Sequence, residues 1–207
     1  MKEFDRTNHW NNIYSTKGFT EVSWYQENPE LSLDLIEQAG ISKDSKIIDI
    51  GGGDGLLVDR LLDLGYTDIT VLDISEKAIQ RAKDRLADRA SKVNWVVSDV
   101  IDFVPQRKYD LWHDRAAFHF LNDSNEIKKY SQLAADALSP GATLILATFS
   151  TEGPKKCSGI EIQQYDEASL RSLFEASFAE RQFILQDHKT PFDTLQNFLF
   201  AVFERRS

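Results

Sequence analysis

Asp49-Ile50-Gly51-Gly52-Gly53-Asp54-Gly55 decides how this 207-residue chain reads. The apolar run Lys46-Ile47-Ile48-Asp49-Ile50 stops at the glycines. A helical pattern follows, with Leu57, Leu61 and Leu64 on one face and Val58 and Leu62 beside them, up to Gly65. Strand, glycine turn and helix in that order open a unit whose ligand lies outside the carboxyl end of the strand. Glycine permits the tight turn and keeps a Cβ out of the ligand's way. The spacing departs from the dinucleotide fingerprint G-x-G-x-x-G, because position 56 is Leu. Glycines at 51, 53 and 55 give G-x-G-x-G instead.

Outward from the loop, strands alternate with helices. Ile69-Thr70-Val71-Leu72 reads as a second strand, followed by Asp73. Ser75 then caps a helix that buries Ala78, Ile79, Ala82 and Leu86. Val93–Val97 and Tyr109–Trp112 read as the third and fourth strands. A helix over about 124–138 and a break at Pro140-Gly141 precede the fifth, Thr143–Ala147. The alternation predicts an α/β fold with right-handed crossovers and a doubly wound, mostly parallel sheet. The last third reads as a loop over 151–159, a helix over about 167–175 and apolar runs near Phe183-Ile184-Leu185 and Phe198–Phe203. The two runs predict closing strands that add an antiparallel edge. The expected organisation is one domain over 1–207: an N-terminal cap over 1–40, a cofactor-binding core over 41–150, and a substrate-side loop, helix and closing strands over 151–207.

Composition narrows the class. Hydrophobic residues make up 42% and charged residues 28% of the chain, as in ordinary soluble domains. A formal net charge of −9 argues against nucleic acid as a partner. The basic pairs Lys128-Lys129 and Arg205-Arg206 read as a solvated helix and chain end. Cys157 is the one cysteine, so no intramolecular disulfide forms. Met1–Arg6 lacks the apolar core of a signal peptide, and no apolar stretch approaches the ~20 residues of a membrane helix. A cytoplasmic protein with no membrane partner is expected. No residue is assigned to a metal.

Carboxylates at strand ends point to a nucleoside. Asp73 lies about 20 residues past the glycines, where it can accept from both ribose hydroxyls. Asp99, in Val97-Ser98-Asp99-Val100, ends the third strand within reach of an adenine amino group, with Ile74 and Val100 as apolar faces for the base. Together with Leu138-Ser139-Pro140-Gly141, this pattern over roughly 46–148 resembles the class I S-adenosylmethionine-dependent methyltransferases. The resemblance implies a seven-stranded sheet with an antiparallel final strand and S-adenosylmethionine, rather than NAD, as cofactor. It implies that Asp49 anchors the loop near the methionine amine, that Gly51 and Gly53 flank the methionine portion, and that Asp73 takes the ribose. Ala142 stands where the family often has a second glycine.

The family's residues after strand four face the transferring methyl group. Here that segment is Tyr109-Asp110-Leu111-Trp112-His113-Asp114-Arg115-Ala116-Ala117-Phe118-His119-Phe120. Asp114-Arg115-Ala116 is similar to the Asp-Arg-Gly or Asp-Lys-Gly step of thiopurine-type and some protein-lysine methyltransferases. An activated sulfonium makes the reaction an in-line displacement that depends on positioning. A base is needed only for a protonated nucleophile, and His119 or His113 is the candidate. His113 also counts among the cofactor contacts. Asp114 is read as orienting a histidine or binding a cationic substrate, and Arg115 as binding substrate or pairing with a carboxylate. The aromatic cap supplies Tyr25, Trp24 and Trp10 as cofactor contacts that exclude water and meet a sulfonium with ring faces. The Gly153–Gly159 loop, with Cys157, and His188-Lys189-Thr190-Pro191 are placed at the border of the acceptor pocket. The expected function is methyl transfer to a small-molecule acceptor. A protein-lysine methyltransferase, a non-catalytic cofactor-binding module and an NAD-dependent oxidoreductase are the alternatives.

Overall fold

The structure, a computed structural model, describes residues 4–207. Met1–Glu3 of the segment read as lacking a signal peptide lie outside the described residues. The strands are β1 (Lys46–Ile50), β2 (Asp68–Asp73), β3 (Val93–Val97), β4 (Tyr109–Arg115), β5 (Leu138–Phe149), β6 (Lys156–Cys157), β7 (Ile160–Glu161), β8 (Phe178–Lys189) and β9 (Leu195–Arg205). Seven of them form one sheet in the order β3-β2-β1-β4-β5-β9-β8, and β6 and β7 form a separate small hairpin. β1 to β5 run parallel, while the final strand β9 is antiparallel to both β5 and β8. β2 and β4 flank β1, so the strand order reverses there and opens a crevice at the carboxyl ends of β1 and β4.

The helices are α1 (Arg6–Thr16), α2 (Glu30–Gln38), α3 (Leu57–Asp63), α4 (Glu76–Leu86), α5 (Ser124–Ala137) and α6 (Glu167–Phe174). Their ends follow local chemistry. Ser75 accepts the Ala78 N–H to start α4, Asp123 accepts from Asn125 and Glu126 to start α5, and Gly65 (φ +86°) follows α3 in the left-handed region. Alternation along the strands builds two cores. Ile48, Ile50, Trp112, Leu144 and Leu146 pack with Tyr130, Ala134 and Phe174 on one face. Ile47, Ile69, Val71, Leu111 and Ile145 pack with Ile36, Leu61 and Ile79 on the other. Burying each Ile, Leu, Val or Phe side chain among these contributes about 1.5–3 kcal/mol.

One sequence expectation changes. Pro140-Gly141 does not precede the fifth strand but lies inside it. Tyr109 pairs with Leu138 and Leu111 with Thr143, so the chain bulges between them and Gly141 takes φ +80°. Arg206 is exposed, as expected of a solvated end, and Arg205 is half-buried; both are also tied to the fold. Arg205 Nε donates to Ala135 O (2.8 Å) and Arg206 Nε to Phe178 O (2.9 Å).

α1 docks on α4. Asn11 Oδ1 accepts from the Ser75 hydroxyl (2.8 Å) and the Lys77 N–H (3.3 Å), and Arg81 Nη1 donates to Tyr14 O (3.1 Å) and Lys17 O (3.0 Å). The cap thereby closes over the crevice. Among the described residues no helix is long and apolar enough to cross a membrane, and no group of three or more His, Cys, Asp and Glu is placed to hold a metal ion.

Candidate active site

The glycine loop turns back on β2. Gly51 and Gly52 N–H both donate to Leu72 O (2.8 and 3.2 Å). Gly51 (φ +64°) and Gly53 (φ +52°) occupy the left-handed region, where side chains are strained. Space is short as well: a Cβ on Gly53 would stand 2.7 Å from the Tyr14 hydroxyl and 3.2 Å from Asp73 Oδ2. Asp73 is buried, and its Oδ1 accepts the Ser75 N–H (2.7 Å). Burial pushes its carboxyl up to about 7, with the charges of Asp54 and Asp49 adding to the rise and the Ser75 N–H opposing it.

Gly51, Asp73, Ile74, Asp99 and Val100 all line one cavity. Trp10, Tyr14 and Trp24 from the cap line it too. Asp99 Oδ1 accepts the Ile101 N–H (3.1 Å), and its Oδ2 accepts from Arg6 Nη1 (3.1 Å). Arg6 also pairs with Glu126. A second cavity shares Tyr14, Trp24, Gly51 and Arg115 with the first, and adds Tyr25, Ser32, Asp49 and His113. Trp10 therefore faces the first cavity, Trp24 both, and Tyr25 the second.

The four candidates after strand four separate in space. His113 Nδ1 lies 2.7 Å from Asp49 Oδ1 and its Nε2 2.9 Å from Ser32 Oγ. Its ring donates to the carboxylate and accepts from the hydroxyl, so both nitrogens are engaged, Nδ1 with Asp49 and Nε2 with Ser32. Asp114 is buried and does not line either cavity. It accepts Ala117 and Phe118 N–H and the Tyr130 hydroxyl (2.5 Å), and burial raises it to about 6 despite those bonds. It holds the turn in which Ala116 takes φ +73°, so it orients no histidine.

His119 is the plainest correction to the sequence reading. Its ring is fully buried among Phe120 and Phe149, outside both cavity linings. Nδ1 accepts the Phe149 N–H (3.2 Å), which puts the proton of the neutral ring on Nε2. Burial, then the charge of Arg115, lowers its pKa to about 3. A ring with one nitrogen bonded and the other protonated does not serve as a general base.

Arg115 lines both cavities. Nη1 donates to Trp24 O (3.2 Å), and the guanidinium lies over the Phe198 ring at 4.8 Å. It does not pair with Asp114, and Nε and Nη2 meet no hydrogen-bond partner among the described residues. Cys157 is buried at the cavity wall and its thiol is pushed up by burial, so it is no poised thiolate. His188, Thr190 and Pro191 border a separate groove with Tyr25, and His188 Nε2 donates to Ser23 O (2.7 Å). Arg6, Tyr14, Phe120, Gln196 and Phe198 line the cavity without having been singled out in the sequence. Arg6, Trp10 and Tyr14 stand four residues apart, a helical stripe that marks the buried face of α1.

Residues 47–141 match the sequence model of the family described as "Methyltransferase domain". The chain carries a class I S-adenosylmethionine-dependent methyltransferase domain. The malonyl-[acyl-carrier protein] O-methyltransferase 2 of Ilyobacter polytropus is 26% identical over 188 residues, covering 87% of this chain and 68% of that protein. The eEF1A lysine and N-terminal methyltransferase of Mus musculus is 29% identical over 128 residues, 61% of this chain and 18% of that much longer protein. The solved structure of the N-methyltransferase NodS from Bradyrhizobium japonicum WM9 in complex with S-adenosyl-L-homocysteine aligns over 98% of this chain and 100% of that one, with a TM-score of 0.75 at 17% identity. That last likeness concerns the fold. The methyltransferase domain's own residues fit the cofactor. A cradle too tight for a Cβ at Gly53 lies against a buried strand-end carboxylate, and apolar Ile74 and Val100 border the same cavity.

Proposed function

We propose that this chain transfers a methyl group from S-adenosylmethionine to a small-molecule acceptor by in-line displacement. The observation that carries the reading is the aromatic lining. Trp10, Trp24, Phe120, Phe149 and Phe198 line the cavity together with Asp73 and Gly51, and Trp10 packs edge-on against both Trp24 and Phe120. The cofactor supplies a methyl group already activated on a sulfonium.

The residues have distinct tasks. Asp73 accepts from the ribose hydroxyls, Ile74 and Val100 flank the base, and Asp99 ties the base-side wall to α1 through Arg6. Asp49, held by His113, presents a carboxylate to the methionine ammonium. The aromatic wall excludes water and faces the sulfonium with ring surfaces. His113 and His119 are positioning and packing residues, so the acceptor supplies its own lone pair. A protein-lysine acceptor fits less well, because its ammonium would approach the Arg115 guanidinium. Incubation with methyl-labelled S-adenosylmethionine, a small-molecule panel and basic proteins tests this. Label in small molecules is expected. Label only in protein would replace the reading with the protein-lysine one. Tight cofactor binding with no label anywhere would leave a non-catalytic module.

A further inference from the structure

We infer that the methyl acceptor is a carboxylate, gripped by Arg115 and converted to its methyl ester. The inference rests on the methyltransferase reading above and names its substrate class.

Arg115 is a cavity-lining cation with no carboxylate partner in the chain. Its Nη1 is used by Trp24 O, while Nε and Nη2 are sealed from solvent without an acceptor. Those two nitrogens form one edge of the guanidinium, covered by neighbouring atoms of the chain; turned into the cavity that Arg115 lines, that edge matches the two oxygens of a carboxylate. Buried donors left unpaired are costly, and a ligand that pairs them removes the cost. Asp49 and Asp73 do not do so, since they face His113 and Ser75. The guanidinium remains charged at neutral pH, although burial lowers it to about 10.

The proton inventory agrees. An amine, hydroxyl or thiol acceptor arrives protonated and needs a base. His119 is excluded by its hydrogen bonding, His113 is held between Asp49 and Ser32, and the Cys157 thiol is itself protonated. A carboxylate needs none, being ionised at neutral pH. Its oxygen bonds to the methyl carbon as the carbon–sulfur bond breaks, the electron pair stays on sulfur, and no proton moves. The ester is neutral, so it loses the charge that Arg115 held and leaves. The aromatic wall gives the acceptor an apolar body.

The test uses the full chain saturated with S-adenosylhomocysteine, which cannot react. Benzoate and phenylacetate are titrated against benzamide and phenylacetamide, with tryptophan fluorescence and calorimetry as readouts. The carboxylates are expected to bind at least tenfold more tightly than the amides. Arg115→Gln is expected to erase that preference and to change S-adenosylhomocysteine affinity by less than about threefold. Arg115→Lys, which keeps the charge but not the fork, is expected to retain part of the preference and covers the case in which the Gln variant does not fold. Three results overturn the inference: equal binding of acid and amide by the wild type, a preference that survives in both variants, or a tenfold loss of S-adenosylhomocysteine affinity in Arg115→Lys. The last would assign Arg115 to the cofactor's own carboxylate. A wild type that binds no S-adenosylhomocysteine would fail the methyltransferase reading instead.

Discussion

Arg6, near the start of the chain, grips Asp99 at the end of β3, Nη1 to Oδ2 3.1 Å, and reaches Glu126 at the start of α5 with its other terminal nitrogen. One side chain thus ties the helical cap to the wall where the adenine is expected. Both pairs are partly exposed, with the Arg6 side chain 28% accessible, so each contributes only about 0.2–1 kcal/mol. Arg6→Ala is expected to speed cofactor dissociation by less than about tenfold, and salt should shrink the difference from wild type. Stopped-flow tryptophan fluorescence at two salt concentrations checks this. A hundredfold change, or one insensitive to salt, would mean that Arg6 contacts the ligand directly.

Asp73 gives cofactor binding a pH dependence. In the free protein burial raises its carboxyl to about 7 and that of Asp114 to about 6, both above the ordinary 3.8. Between about pH 4 and 7 the folded state therefore holds protons that the unfolded chain has released, and the contribution of these groups to stability falls as pH rises through that window. Ribose hydroxyls donating to Asp73 favour its ionised form. Binding at pH 6.5 is expected to release part of a proton, and binding at pH 8.5 none. Calorimetry in two buffers of different ionisation enthalpy reads this directly. Equal heats in both buffers at pH 6.5 would refute a titrating Asp73.

His119→Ala is expected to lower stability by about 1–3 kcal/mol, because it orphans the Phe149 N–H and leaves a void in the core. The shape of the pH–rate profile should not change. A limb near pH 6 that the substitution abolishes would restore the histidine as a base.

Gly53→Ala puts a Cβ at φ +52° against the Tyr14 hydroxyl and Asp73. Left-handed strain alone costs about 1–2 kcal/mol, and Tyr14 must also move. The expected result is a lower melting temperature together with at least a tenfold loss of cofactor affinity. Wild-type affinity in this variant would place the cofactor elsewhere.

The fold was legible because its signals are local. Apolar runs ending at Gly51, Asp73 and Ser98, a cap at Ser75, and a closing pair of apolar runs are enough to order a parallel sheet with an antiparallel last strand. The carboxylate positions followed from the strand ends. The acceptor side was harder, because adjacency along a strand is not adjacency in space. Successive β4 side chains point to opposite faces, so His113 and Arg115 reach the cavities while Asp114 turns to Tyr130. His119 lies beyond the turn, where Phe149 N–H fixes it. The hydrogen bond that disqualifies it comes from β5, thirty residues away. Tyr14 escaped notice beside showier tryptophans, although its four-residue spacing from Trp10 and Arg6 marks one helix face. Nothing local told that this face turns toward Gly53.

The central claim is that the nucleoside of S-adenosylmethionine sits on Asp73. The most direct test is calorimetric titration of S-adenosylmethionine into wild type and Asp73→Ala at pH 8, with circular dichroism confirming that both are folded. A loss of about 1.5–3 kcal/mol, roughly ten- to hundredfold in affinity, is the predicted result for acceptors of a charged hydrogen bond. Unchanged affinity in a folded Asp73→Ala protein would contradict it.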